Sequence, residues 1–217
     1  MKCKRSRKTD LFEIEREKGA FVYRRGEKEI RIVTETLELE VLPLPPIHLP
    51  EKISPFFMVN FEPVVMGGKS RTIVFLKIPC EIGVFVDGMQ IDVIGDEGLR
   101  YILYGPPSGG QICKNIPGER VDEKEMKPEM GFMYIPLRIK NYTPRAFRVG
   151  RILMNAEYLD IYYRGRLALT EMVKLDIMED LLRVRYMNRS YIGGMKKVKA
   201  GRMLLRKEEE IEMRWGP

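Results

Sequence analysis

Side chains change sides at every step through much of this chain, and that alternation restricts it to sheets. Residues 29–41, EIRIVTETLELEV, set Ile30, Ile32, Leu37, Leu39 and Val41 among polar neighbours. A period of two places successive residues on opposite faces of a strand. The phase slips near Val33 and Thr34, which predicts two strands or one bulged strand. RTIVFLKI at 71–78 reads as a buried strand, and VFVDGMQIDVI carries Asp87-Gly88 between two apolar runs. That dipeptide is a hairpin signal, because a type I′ turn needs positive φ at both central residues.

The second half repeats the pattern. FMYIPLRIKN, FRVGRILMN, YLDIYYR, RLALTEMVKLDI and LLRVRY each read as strands, divided by turn-forming residues such as Pro144 and Gly165. The terminal IEMRW alternates Ile211, Met213 and Trp215, again as a strand, with a helix over 201–212 as the weaker alternative. Many short strands without amphipathic helices predict an all-β, β-sandwich-like fold, arranged as two packed β lobes. The Pro-, Gly- and charge-rich interval 105–131 reads as a linker or long surface loop. It places an N-terminal lobe at 11–117 and a C-terminal lobe at 128–217, with one continuous unit as the alternative. The strings GRIL, GRLAL and GRMLL recur at unequal spacing, as turn-to-strand chemistry rather than a solenoid.

A chain of 217 residues can bury an ordinary core without metal or disulfide support. Cys3, Cys80 and Cys113 form no CxxC pair, which excludes a zinc ribbon and fits a reducing compartment; whether Cys80 and Cys113 meet depends on geometry. The basic start MKCKRSRKTD leads into no apolar segment, so neither a signal peptide nor a spanning helix is expected, and the expected location is cytoplasmic. Seven Asn and Gln against sixty-nine charged residues lean towards a thermophilic source, although fourteen Met lean away from it.

Two stretches, IPCEIGVFVDGMQIDV (78–93) and YILYGPPSGGQIC (101–113), together resemble an archaeal family known as domain of unknown function 432. The resemblance runs over most of the chain, from the strand near Val41 to the terminal MRWGP. It implies an archaeal source and a full-length match. It implies no reaction, ligand or site.

Charge placement is the clearest candidate feature. Nine basic and no acidic residues lie between Arg183 and Lys207: Arg183, Arg185, Arg189, Lys196, Lys197, Lys199, Arg202, Arg206 and Lys207. Five more fall in the first eight positions, and removing these fourteen from a net +7 leaves the remainder at −7. Such a segment can displace counterions from a polyanion, with Tyr186 and Tyr191 stacking on bases. The plainer reading ranks first: Arg183 and Arg185 are the solvated face of a half-buried strand, neutralised by the EEEIE run from Glu208, or an interface with the acidic part of another copy. An acidic membrane surface ranks last.

The loop YGPPSGGQIC offers Ser108, Gly109, Gly110 and Cys113, yet it lacks the lysine and helix of a phosphate loop. The single histidine, His48, lies in a proline-rich string, so a Cys113–His48 pair has no local support, and no metal-ligand spacing exists. Asp87, Asp92, Asp96 and Glu97 are weak candidates for acid–base chemistry or Mg²⁺. Met130, Phe132 and Tyr134 alternate in PEMGFMYIP and form a protein-contact patch if that face lies open.

Three readings follow, in order: a non-catalytic interaction module acting by self-association or on a protein partner; a nucleic-acid or polyanion binder; and a hydrolase-type enzyme using the 105–113 loop or the carboxylates. No catalytic set and no cofactor is assigned.

Overall fold

In this computed structural model, the described residues are 2–3, 7–9, 11–17, 19–198, 210–214 and 216. In chain order the strands are β1 (Lys2–Cys3), β2 (Arg7–Lys8), β3 (Glu13–Glu17), β4 (Ala20–Arg25), β5 (Lys28–Ile32), β6 (Leu37–Leu44) and β7 (Phe56–Met66). There follow β8 (Arg71–Pro79), β9 (Glu81–Val86), β10 (Met89–Ile94), β11 (Tyr101–Tyr104), β12 (Gln111–Pro117), β13 (Glu119–Val121) and β14 (Phe132–Asn141). The last are β15 (Phe147–Asn155), β16 (Ile161–Arg164), β17 (Leu167–Ile177), β18 (Leu182–Ser190), β19 (Lys196–Lys197) and β20 (Glu210–Met213). One 3-10 turn (Glu123–Glu125) is the only helical element among the described residues, and no helix there is long and apolar enough to cross a membrane. The all-β, sandwich-like class stands.

The chain forms two compact units, Met1–Leu42 with Ile82–Ile94, and Pro43–Glu81 with Gly95–Pro217. In the first, the sheet β2-β3-β4-β5 and the sheet β1-β6-β9-β10 share one core. Phe12, Ile14, Phe21 and Tyr23 meet Leu37, Leu39, Val84 and Val86 there. The expected break after Ile32 separates β5 from β6. Asp87 and Gly88 take φ of 49° and 81°, and Asp87 Oδ1 accepts the Glu38 N–H at 3.0 Å, so the hairpin turn is built as its sequence requires.

In the second unit, the sheet β11-β12-β7-β15 packs on an eight-stranded sheet that runs β13-β8-β14-β17-β16-β19, with β18 joining β17 to β20. Phe57, Val59, Ile116 and Ile152 from one side interleave with Leu76, Ile135, Val173 and Val184 from the other. Strand β14 sits centrally, antiparallel to β8 and parallel to β17. Proline has no N–H to give a ladder, and the β14–β17 register shifts between Tyr134 and Leu137, where Pro136 falls.

The compact units do not follow the lobes 11–117 and 128–217 expected from composition. Strands on both sides of that boundary share sheets: β8 pairs with β14, and β7 with β15. The interval 105–131 holds β12, β13 and the 3-10 turn, and β12 runs parallel to β7. At the C-terminus Glu210–Met213 is strand; the helical alternative over 201–209, and Trp215, lie outside the described residues.

Leu76 is fully buried, while Ile73 on the same strand is 43% exposed. Leu76→Ala is expected to cost about 2–5 kcal/mol of unfolding free energy through the cavity it leaves, and Ile73→Ala about 1 kcal/mol or less. Urea titration followed by circular dichroism measures both, and equal costs would contradict the placement of the core.

Candidate functional site

Alternation on β18 buries Leu182 and Val184 and leaves Arg183 and Arg185 half-buried. Three of their four neighbours across the ladder are acidic. Arg183 stands opposite Asp176 on β17 and Glu212 on β20, and Arg185 opposite Lys174 on β17 and Glu210 on β20. Arg185 Nη2 also donates to the buried Asp176 carboxylate. Lys197 Nζ lies 2.6 Å from Oδ2 of buried Asp160. Arg189 and Lys196 are exposed; Lys199, Arg202, Arg206 and Lys207 lie outside the described residues. The two aromatic residues near the segment are engaged in packing. Tyr186 Oη accepts the Asn155 N–H at 2.7 Å, and the Tyr191 ring meets Phe75 edge-on at 5.1 Å. The described part of the basic segment is therefore laced with acids, as a half-buried sheet face requires.

The 105–113 loop is the turn of the β11–β12 hairpin, in which Tyr104 opposes Gln111. Gly109 and Gly110 direct their N–H groups at Pro106 O, at 3.2 and 2.7 Å, so those amides close the turn rather than offering themselves to an anion. A Cβ at Gly110 would fall 2.8 Å from that same oxygen, which is why glycine stands there. Ser108 is exposed. Cys113 is fully buried in the second unit's core, and burial pushes its thiol up to about 11, with the Arg151 charge pulling only partly back. A nucleophilic cysteine needs the opposite shift. Cys80 is likewise a buried free thiol, pushed up to about 12 by burial and by the adjacent Glu81 charge.

His48 meets Glu81, not Cys113. The Glu81 carboxylate, 1% exposed, accepts the His48 N–H on both oxygens and the Leu49 N–H on Oε1, each at 2.9 Å. His48 Nδ1 lies 2.6 Å from Oε2. Lys114, fully buried on β12, places Nζ 3.6 Å from Oε1 and donates to Leu49 O. Gly95 lies against the stem of Glu81, where a Cβ would come within 2.8 Å of its Cγ. Every strong donor around this carboxylate holds the segment at 48–49 in place. Cys113 and Lys114 are adjacent on one strand, so their side chains leave opposite faces, and the thiol points away from the histidine. Sequence reading passed over this cluster, although a charge inside IPCEIGV and another inside QICKNI are its local signal.

The acids expected near residues 87–97 have separate structural tasks. Asp92 is buried in the first unit, where Tyr23 Oη (2.5 Å), Arg25 Nε (2.6 Å) and Lys28 Nζ (2.6 Å) converge on it. Burial alone would raise its pKa, but these three donors outweigh that and hold it at about 2, against an ordinary 3.8. Asp96 Oδ1 accepts the Gly98 N–H at 2.8 Å in a local turn, and Glu97 is exposed. Of the Met130–Phe132–Tyr134 face only Met130 is open, 41% exposed: Tyr134 is 2% exposed and Lys77 Nζ covers the Phe132 ring at 4.3 Å. Among the described residues no three His, Cys, Asp or Glu side chains converge as a metal site.

Exposed apolar surface in the second unit gathers instead on the β11–β12 hairpin. Leu103 and Ile112 are directly opposed and 45% and 47% exposed, and Ile102 is 37% exposed. The Ile53 N–H donates to Tyr101 Oη at 3.1 Å, which brings a further apolar residue, 61% exposed, beside the same hairpin.

A family model described as a protein of unknown function (DUF432) matches residues 7–213. No curated protein and no solved structure matches the chain.

Two outcomes test these assignments. Glu81→Ala strands the buried Lys114 ammonium and three donors, so it is expected to cost about 3–5 kcal/mol, and Lys114→Met clearly less; comparable losses in urea titrations would contradict the asymmetry. Asp92, depressed in the folded state, contributes stability that is complete above pH 3.8 and disappears as pH falls through about 2. Asp92→Asn is expected to be less stable than wild type at neutral pH and to show a flatter loss between these limits, read from melting temperature against pH.

Proposed function

The chain belongs to the DUF432 family of proteins of unknown function, and from that premise we propose that it is a non-catalytic β-sandwich module that works by contact with another polypeptide. The observation that carries this reading is the Leu103–Ile112 pair, two large apolar side chains opposed on one hairpin and each nearly half exposed. Scattered exposed apolar residues are ordinary, but an adjacent group within the uncharged stretch 101–113 is the character of a contact surface. Polyanion binding is not favoured, because Arg185 and Lys197 already face Asp176 and Asp160. Hydrolysis is not favoured either, since Cys113 is buried with a raised thiol and His48 is spent on Glu81. Two buried free thiols, Cys80 and Cys113, suit a reducing compartment and hence a cytoplasmic setting.

The test compares wild type with the double variant Leu103→Glu, Ile112→Lys, each immobilised and exposed in turn to pure protein and to native extract. A polypeptide retained by wild type, whether a second copy or another chain, and lost by a variant of unchanged melting temperature supports the reading. Equal retention by both, or none by wild type, counts it out.

A further inference from the structure

We propose that the partner is a second copy of this chain, joined edge to edge through β11 so that the sheet β11-β12-β7-β15 continues across a two-fold axis; this rests on the contact-module reading above. A sheet's last strand presents unpaired N–H and C=O groups, and proteins that stay single guard such strands with charge. Among the described residues, β1, β2, β5, β13, β15, β19 and β20 also end sheets, and each carries at least one charged residue; β10, a further sheet end, holds only Asp92, whose charge is buried against Arg25 and Lys28. Strand β11 is Tyr-Ile-Leu-Tyr and carries none.

The hydrogen bonding of β11 then fixes which groups look outwards. Asn115 N–H donates to Arg100 O at 2.8 Å, and the antiparallel register continues as Tyr101 with Lys114, Ile102 with Cys113 and Leu103 with Ile112. In such a ladder hydrogen-bonded and non-bonded pairs alternate. Arg100 and Ile102 therefore turn their backbone groups towards β12, while those of Tyr101 and Leu103 point away from it. The Ile112 carbonyl agrees with this phase: it turns from β11 and accepts Ser54 Oγ at 2.7 Å. Among the described strands β11 pairs only with β12.

Two outward-facing residues separated by one inward-facing residue are complementary to themselves. A two-fold axis normal to the sheet at Ile102 sets Tyr101 against Leu103 of the second copy, and Leu103 against its Tyr101, each pair exchanging both backbone hydrogen bonds. The axis keeps each face on its own side, as the alternation of side chains demands, and brings the exposed Leu103 and Ile112 of both copies onto one continuous apolar strip. Ile102 then meets its own copy as a non-bonded pair.

That register is testable by its distances. The two Ile102 Cα atoms would lie ~4.5 Å apart, inside the span of about 4.4–6.8 Å that a disulfide bridges, whereas the two Leu103 positions, diagonal to one another, would lie about 7–8 Å apart. In a Cys3→Ser, Cys113→Ala background, Ile102→Cys is expected to form a covalent dimer on mild oxidation and Leu103→Cys is not. Sedimentation velocity on the otherwise unaltered chain should give the mass of two chains. Leu103→Pro, which removes an outward N–H and no ladder bond, should give the mass of one chain with an unchanged circular dichroism spectrum. Should Leu103→Pro fail to fold, Ile102→Arg provides the same reading. A single-chain mass for wild type at every concentration overturns self-pairing, while the module reading still stands or falls on retention of another chain. A dimer that survives Leu103→Pro or Ile102→Arg, or cross-links through Leu103→Cys rather than Ile102→Cys, overturns the β11 edge and leaves the module reading intact.

Discussion

Strands β14 and β17 are buried on both faces for most of their length, so their polar groups cannot reach water by turning outwards. A polar group so placed must find its partner within the protein, because leaving it unpaired costs more than most single contacts return. The neighbouring elements are arranged by this need. Asn141, at the end of β14, donates its amide to Gly67 O at 2.9 Å and Arg145 O at 2.7 Å, tying two turns to the strand. Glu171, fully buried on β17, accepts the Asp160 N–H at 2.8 Å and the Asn188 N–H. Asp176 takes Arg185. Positions that look in sequence like a free cationic face are thus the outer ends of contacts that begin in the centre of the sheet.

The same constraint decides what could be read beforehand. Half-buried strands announce themselves by alternation, and β5, β6 and the β9–β10 hairpin were legible for that reason. Strand β7, FFMVNFEPVVM, buries neighbours on both faces, which erases the period of two, and nothing in its sequence separates it from any other apolar run. The lobe boundary shows a different limit. Proline and glycine near 105–131 report turns faithfully, but a turn does not say whether the strands on either side will pair, and here β8 and β14 do. The polar clusters divide in the same manner. A charge inside an apolar run, at Glu81 or Lys114, is visible locally; that the two meet, 33 residues apart, is a property of the fold.

Three features that resemble reactive groups in sequence are each used up by structure. Cys113 occupies core volume, Gly110 clears the carbonyl of Pro106, and His48 with Leu49 satisfies a buried carboxylate. Catalysis needs a group with an unspent interaction aimed where a substrate can sit. Recognition through a sheet makes no such demand, since the backbone supplies the donors and acceptors and the side chains supply only fit.

The strength expected of an edge contact follows from the same accounting. Backbone groups at an exposed edge are already hydrated, so pairing them gains only about 0.5–1.5 kcal/mol for each hydrogen bond. A four-residue strand cannot hold two molecules together on that alone against the lost freedom of association. The difference has to come from apolar area removed from water, which is why the exposure of Leu103 and Ile112 beside the uncharged edge matters more than the edge itself. Charge on the other sheet ends works in the opposite sense, since a lysine or glutamate set against its own copy would have to be desolvated next to a like charge. On the proposed pairing, the distribution of charge among the edges selects the surface and the hydrogen-bonding phase of β11 selects the register, without calling on any pocket or reactive side chain.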